Sequence, residues 1–357
     1  MKVSHGIFFT DLFSIESYDF SLPERLIAQD PASPRDSSRL LVLGRESGEM
    51  RHGSFREISS LLNDRDLLVL NDTKVLPARL RGSRLPGGGR MELLLLKSLD
   101  RERLEWEALV KPGRRLRPGT EVLLRDGTVA TIGEAPGKPG GVRRVRFPDG
   151  VSVSSLMNEI GEVPLPPYIT RSSAPGSAYQ TVFASREGSS AAPTASLHFT
   201  EDLLTRLRQE VGVSIAWITL HVGLGTFRPV QCEDIRDHRI HEEYCVIPAE
   251  TRDLVSRTKR AGGRVVASGT TVARTLESMA ATGGELRCGD MNTDLFIFPG
   301  FRFNIVDALL TNFHLPKSSL LMLVAAFAGY DHVMNAYRTA VSMEYRFFSF
   351  GDAMFIS

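Results

Sequence analysis

Apolar and polar positions follow one rhythm at the two ends of the chain and another in between. From residue 18 to 78, apolar residues recur at helical spacing after two S-x-x-E sequences, Ser21-Leu-Pro-Glu24 and Ser54-Phe-Arg-Glu57. In that pattern a serine oxygen and a glutamate carboxylate satisfy amides that a helix start leaves open, so both predict helix N-termini. Leu22, Leu26 and Ile27 follow the first; Ile58, Leu61 and Leu62 follow the second. The unbroken apolar run Leu67–Leu70 predicts a buried strand entering Asn71-Asp-Thr-Lys74.

Between residues 79 and 150 the apolar runs shorten to 91–99, 104–110, 121–124, 128–132 and 142–147, separated by PGGG, KPG, RPG, RDG, PGKPGG and FPDG. Turn residues at that density predict a small all-β unit. Beyond it, a helix is predicted over 152–160 with Gly161 as its stop, then an extended connection over 163–168. Thr200 caps a helix with Leu203, Leu204, Leu207 and Val211 on one face and Gly212 at its end. Strands over 213–221 and 264–271 and a helix over 272–281 complete an alternating pattern, whose class is α/β. The organisation predicted is a discontinuous α/β catalytic domain (18–78 and 151–357) with a mixed-sheet or barrel-like core. An all-β domain (79–150) interrupts it, and a disordered N-terminal extension (1–17) precedes it.

Composition narrows the class. At 357 residues, 42% hydrophobic and 24% charged, the chain reads as folded and larger than one core usually supports. The net charge of +1 hides an uneven distribution. Arg79–Arg146 holds 16 lysines and arginines against 8 acidic residues, where the whole chain has 43 and 42. A basic module in an acidic host points to a polyanionic partner. Three cysteines without a C-x-x-C pair suggest neither a zinc site nor a disulfide framework, and fit a reducing cytoplasm. The start MKVSHGIFFTDLF does not read as a signal peptide, and the apolar stretch 320–329 is short of the ~20 residues that span a bilayer.

Four polar interruptions, around Thr194, Thr226, Thr270 and Asn312, fall near predicted strand ends or helix starts, where α/β domains build ligand crevices. Ser268-Gly-Thr-Thr271 offers amides, hydroxyls and a helix dipole to a phosphate or carboxylate, although a plain capped turn has the same composition. His221-Val-Gly-Leu-Gly-Thr-Phe-Arg228 allows close backbone approach but lacks the third glycine of a dinucleotide fingerprint. His238 and His241 do not form an HExxH zinc pair, and His198 between Leu197 and Phe199 reads on its own as a core residue.

In order along the chain, YDFSLPERLIAQDP (18 to 31), LNDTKVLPARL (70 to 80), KPGRRLRPG (111 to 119), GEVPLPPYI (161 to 169), YQTVFA (179 to 184), AAPTASLHFT (191 to 200), ITLHVGLGTFRPV (218 to 230), HRIHEEYCVIP (238 to 248), FPGFRFNIVDALLTNFHLPKSSLLMLVAAFAG (298 to 329) and YRFFSFGDAMFI (345 to 356) resemble the S-adenosylmethionine:tRNA ribosyltransferase-isomerase family of bacterial queuosine biosynthesis. The resemblance implies transfer and isomerisation of the ribosyl group of S-adenosylmethionine onto a 7-aminomethyl-7-deazaguanine base at the tRNA wobble position. The products are epoxyqueuosine, adenine and methionine. It also implies a large α/β domain interrupted by a small all-β domain, S-adenosylmethionine as co-substrate and no metal. The expected protein is a cytoplasmic monomer with no membrane partner.

Under that resemblance His198 and His221 are the first candidates for proton transfer, since imidazole titrates near neutral pH. Asp72, Glu242 and His314 come second. Thr194, Gly223, Gly225, Thr226, Ser268, Gly269, Thr270 and Thr271 are the candidates for holding the cofactor. Arg79, Arg81, Arg114, Arg115 and Arg117 are those for tRNA phosphates. The chain departs from the family pattern at Pro175-Gly-Ser-Ala178, which replaces a charged segment, and at Ser190 and Ser196, which stand for Val and Gly. A non-catalytic RNA-binding protein and an S-adenosylmethionine-dependent methyltransferase are the competing readings.

Overall fold

The computed structural model describes residues 10–113, 116–135, 141–223, 230–280 and 285–357. Its strands are β1 (Arg39–Leu43), β2 (Met50–Ser54), β3 (Leu67–Asn71), β4 (Thr73–Val75), β5 (Arg79–Leu85), β6 (Arg90–Ser98), β7 (Glu105–Lys111), β8 (Thr120–Leu124), β9 (Val129–Ile132), β10 (Val142–Arg146), β11 (Arg186–Ser189), β12 (Ser214–Leu220), β13 (Glu243–Ile247), β14 (Val265–Ser268), β15 (Gly289–Thr293), β16 (Ala308–Asn312) and β17 (Ala353–Ile356). The α-helices are α1 (Ile58–Leu61), α2 (Val153–Ile160), α3 (Glu201–Arg206), α4 (Ala249–Arg260), α5 (Thr270–Ser278), α6 (Ser319–Ala328) and α7 (Tyr330–Ser342).

Nine strands form one mixed sheet in the order β15-β13-β12-β3-β14-β16-β17-β1-β2. Its centre, β12-β3-β14-β16, is parallel throughout. Both faces of β3 are covered, which is why all five of its residues are apolar or buried. Leu67 and Val69 pack on the side of α4, α5, α6 and α7, whereas Leu68 and Leu70 meet Leu203, Leu204 and Leu207 with Phe55 and Ile58. The core is therefore an open mixed sheet rather than barrel-like.

Closure occurs elsewhere. Strands β5 to β10 form a barrel in the order β10-β7-β6-β5-β8-β9, filled by Leu80, Leu93, Trp106, Val122, Ile132 and Val145. Closing the sheet removes the exposed edges that such short strands would otherwise present. A reciprocal backbone pair between Arg79 and Glu162, at 3.1 and 2.9 Å, ties the barrel's entry to its exit.

Several local expectations shift. Ser54 and Glu57 form their capping box, followed by a short turn and α1. Ser21 and Glu24 do not: the three-residue turn Glu24–Leu26 starts after Pro23 and stops where Ile27 bridges Phe347. Of the expected N-terminal extension, residues 1–9 lie outside the described residues, but residues 10–17 pack on the body. Ile15 is buried, and Ser14 bridges Asp234. Strand β5 escaped the sequence pattern because RLRGSRL carries its charges outward and buries only Leu80. Helix α5 starts at Thr270, two residues before its predicted start.

Candidate active site

The C-terminal ends of the four parallel strands deliver Asn71, Leu220, Ser268 and Asn312 to one edge of the sheet. The chain passes from β3 to β12 on one side, then crosses back to β14 on the other. In parallel sheets such a reversal opens a crevice beyond the strand ends. A narrow cavity lies there, lined by Ala192 to Ala195, Val222, Gly269 to Thr271, Thr311, Asn312, His314, Leu320, Phe348 and Ser349.

The start of α5 forms one wall. Gly269, at φ +102°, turns the chain from β14 into the helix, and no side chain caps it. Among the described residues the amides of Thr270, Thr271 and Val272 meet no acceptor, and the first helical bond is that of the Ala273 amide to the Gly269 carbonyl. The buried Thr271 hydroxyl is likewise unpartnered. Open amides, a positive dipole end and a buried hydroxyl facing one cavity suit an anionic ligand group. Ser268, by contrast, is turned away from the cavity: its hydroxyl bonds Ser196 at 2.8 Å, both residues fully buried. Ser196 thus ties the 194–198 turn to β14.

His198 lies behind that turn. Asn312 donates through Nδ2 to the carbonyls of Phe348 (2.9 Å) and Ser349 (3.3 Å), so its Oδ1 faces His198 Nε2 at 3.1 Å and accepts that proton. Nδ1 then accepts from the Ser38 hydroxyl at 2.7 Å, and the ring stacks on Phe55. Burial pushes the imidazole down to about 4. Both nitrogens are engaged and the ring is neutral, so His198 holds a loop and leaves no lone pair for a substrate proton. His314 lines the cavity with Nε2 on the Thr311 hydroxyl at 2.9 Å; burial lowers it to about 3.

His221 differs. It is half-buried, its Nδ1 lies 2.8 Å from the Thr73 hydroxyl, and its ring stacks on Tyr244. Burial lowers its pKa, and the nearby Asp72 carboxylate opposes that shift without cancelling it. Nε2 packs against Gly188, where a Cβ would stand 2.6 Å away. Asp72 accepts from the Thr219 hydroxyl at 2.6 Å.

Other candidates separate. Glu242 is exposed, whereas its neighbour Glu243 is buried, accepting the Gly223 amide at 2.8 Å and the Arg274 guanidinium at 2.7 Å. Gly225, Thr226, Arg114 and Arg115 lie outside the described residues. Arg79 pairs with Glu92 (3.6 Å) and donates to the Leu165 carbonyl, and Arg81 pairs with Glu162 (2.9 Å). Arg117 is exposed. Among the described residues no three His, Cys, Asp or Glu side chains gather as a metal site, and no helix is long and apolar enough to cross a membrane.

A family model described as queuosine biosynthesis protein matches residues 15–356. The chain belongs to the queuosine biosynthesis protein family. Two relatives named S-adenosylmethionine:tRNA ribosyltransferase-isomerase are similar along nearly their whole length. The one from Halothermothrix orenii is 51% identical and the one from Symbiobacterium thermophilum 52%, each over 96% of this chain and 99% of the relative. The crystal structure of S-adenosylmethionine tRNA ribosyltransferase from Thermotoga maritima is 40% identical, covers 96% of this chain and 100% of its own, and superposes with a TM-score of 0.55.

This family member also builds its site from residues the sequence did not single out. Phe348 lines the cavity with φ +75°, a conformation costly for a bulky side chain, and Asn312 holds its carbonyl. Tyr168 packs edge-on against Phe348 and bonds Ser349 at 2.5 Å. The buried neutral histidines make the family member acid-sensitive. The folded-state pKa values of His198 and His314 lie below the unfolded value of about 6.5, so their contribution is full above pH 6.5 and is lost as pH falls towards 4 and 3. Each costs about 1.4 kcal/mol per pH unit in that window. In urea unfolding, His314→Gln shrinks the loss of stability between pH 7 and 5 by about 2 kcal/mol; an unchanged loss would show the ring already protonates freely.

Proposed function

We propose that the chain is an S-adenosylmethionine-dependent tRNA ribosyltransferase-isomerase. It attaches the rearranged ribosyl group to the aminomethyl nitrogen of a 7-aminomethyl-7-deazaguanine base at the tRNA wobble position and releases adenine and methionine. Kinship along the whole chain supports the class of reaction. The observation that carries the reading to particular residues is the uncapped start of α5, with the unpartnered Thr271 hydroxyl inside the cavity.

The methionyl carboxylate of S-adenosylmethionine is the ligand group that suits this helix end. Thr271 and the amides of Thr270, Thr271 and Val272 donate to it, and Gly269, Thr194 and Pro193 give the backbone room to approach. The reaction then needs a base for a C5′ proton, made acidic by the adjacent sulfonium. His221 fits best. If Thr73 accepts from Nδ1–H, Nε2 carries the lone pair, and Val222, the next residue, lines the cavity. Asp72 supports the imidazolium that forms. His198 positions the 194–198 turn and Asn312. The enzyme is assigned to the cytoplasm, where charged tRNA and S-adenosylmethionine both occur, and acts as a monomer.

Thr271→Val keeps the β-branched shape and removes the hydroxyl. The expected result is a Kd for S-adenosylmethionine raised about 5–30-fold, the equivalent of about 1–2 kcal/mol, in calorimetric titration; an unchanged Kd would place the carboxylate elsewhere. The reaction itself is tested by incubating the protein with S-adenosylmethionine and tRNA bearing the aminomethyl base. Free adenine and methionine in equal amounts support the reading. S-adenosylhomocysteine would instead mark a methyltransferase, and tRNA binding without turnover a binding protein.

A further inference from the structure

A second opening lies beside His221. It is a cleft of about 240 Å³ between the barrel and the body, with Lys97, Ser98 and Arg103 on the barrel wall, Asn158 of α2 facing them, and Glu187 and Gly188 of β11 along its floor. Because Gly188 packs directly on His221 Nε2, the floor of this cleft is the imidazole's own neighbour.

The barrel wall is charged in a particular way. Arg79, Arg81, Arg125, Arg144 and Arg146 are each paired with a carboxylate, at 2.9 to 3.6 Å. Among the described residues, Lys97 and Arg103 are exposed and have no such partner. Both are also held by unusual backbone. The register of β6 against β7 shifts between Leu95 and Lys97, a bulge of the kind that re-aims side chains. Arg103 sits at φ +57°, and its carbonyl accepts the Trp106 indole N–H at 2.7 Å, which pins the turn. The one acid on the floor, Glu187, is neutralised by Lys74 at 3.0 Å.

We propose that this cleft takes the sugar–phosphate backbone of a single-stranded RNA segment, with Lys97 and Arg103 each on one phosphate. The nucleotide between barrel and body is thereby presented beside His221. The inference rests on the reading above that the substrate is an RNA. Unneutralised cations supply affinity, and the walls admit an unpaired strand better than a duplex.

The test uses the full chain, a tRNA transcript and binding measured across a salt series. Lys97→Gln and Arg103→Gln are exposed substitutions of similar length. Each is expected to weaken tRNA binding about 3–10-fold near 0.1 M salt and to reduce the slope of log K against log salt by about 0.7; the double variant reduces it by about 1.4. Arg90→Gln, an exposed barrel arginine lining a different groove, is the comparison and leaves slope and affinity within about twofold. Binding of S-adenosylmethionine is unchanged in all four variants. Weakened binding with an unchanged slope would overturn the phosphate contacts, as would a double variant that binds like wild type while wild type still modifies tRNA. Wild-type protein that neither binds nor modifies tRNA would overturn the underlying reading and the cleft together.

Discussion

Replacing Arg274 with methionine is expected to lower the free energy of unfolding by about 3–5 kcal/mol. Arg274 and Glu243 are each only 2% exposed by side chain and lie 2.7 Å apart. Removing Arg274 takes the guanidinium from a buried carboxylate in a medium that solvates its charge poorly, and that accounts for most of the loss. Arg274 also donates through Nε to the Leu295 carbonyl, so the segment after β15 loosens as well. The double variant Arg274→Met/Glu243→Leu should recover most of the stability, because a neutral pair of similar volume buries no charge. It should not recover activity. Glu243 also accepts the Gly223 amide at 2.8 Å, two residues beyond His221, and leucine cannot. Urea unfolding with turnover assays on the wild type and these two variants checks both halves; stability and activity returning together would show that the pair matters only for folding.

His221→Ala is expected to lower kcat about 10²–10⁴-fold while changing the Kd for S-adenosylmethionine by less than about threefold. The split follows from position: Nδ1 is used by Thr73, Nε2 faces Gly188, and the helix end that holds the carboxylate is a separate element. The pH profile carries a sign. Burial lowers the pKa of His221, so the base stays neutral somewhat below pH 6.5, and kcat/KM falls only on the acid side of that point. In His221→Ala the acid limb tied to this group disappears. A full acid limb in the alanine variant, or a loss that appears entirely in Kd, would move the base elsewhere.

The parts of the fold that local chemistry controls were legible. The turn-rich stretch from Arg79 onward became a closed barrel, because short apolar runs between glycine and proline turns have few other ways to bury their faces. Thr200 caps the helix it was expected to cap, and the helix expected over 152–160 forms as Val153–Ile160 with Ser152 as its N-cap. The failures came from contacts distant in sequence. Ser21 matched a capping box as well as Ser54 did, but Phe347 takes Ile27 into a bridge and ends that turn after three residues. Arg79 and Arg81 looked like free cations, yet their partners, Glu92 and Glu162, lie across a strand and beyond the barrel.

Glu242 and Glu243 show how narrow the margin was. Alternation along β13 buries Glu243, Cys245 and Ile247 and turns the intervening side chains outward, so the apolar Cys245 and Ile247 already marked the odd positions as the buried face. A period-two reading of this segment would have selected the right glutamate. His198 was harder. Its sequence neighbours describe a core residue and its family motif suggests a site, and it is both: a buried hydrogen-bonded ring whose partner Asn312 lines the cavity. Phe348 gave no signal, since a positive φ at a phenylalanine depends on the carbonyls that Asn312 gathers.

The most direct measurement is the mass of the wobble nucleoside after tRNA bearing the aminomethyl base has been incubated with the protein and S-adenosylmethionine and digested. The expected product carries the ribosyl-derived five-carbon ring of the co-substrate on its aminomethyl nitrogen, and His221→Ala slows its appearance. A nucleoside of unchanged mass, or one that has gained only a methyl group, would contradict the proposed reaction.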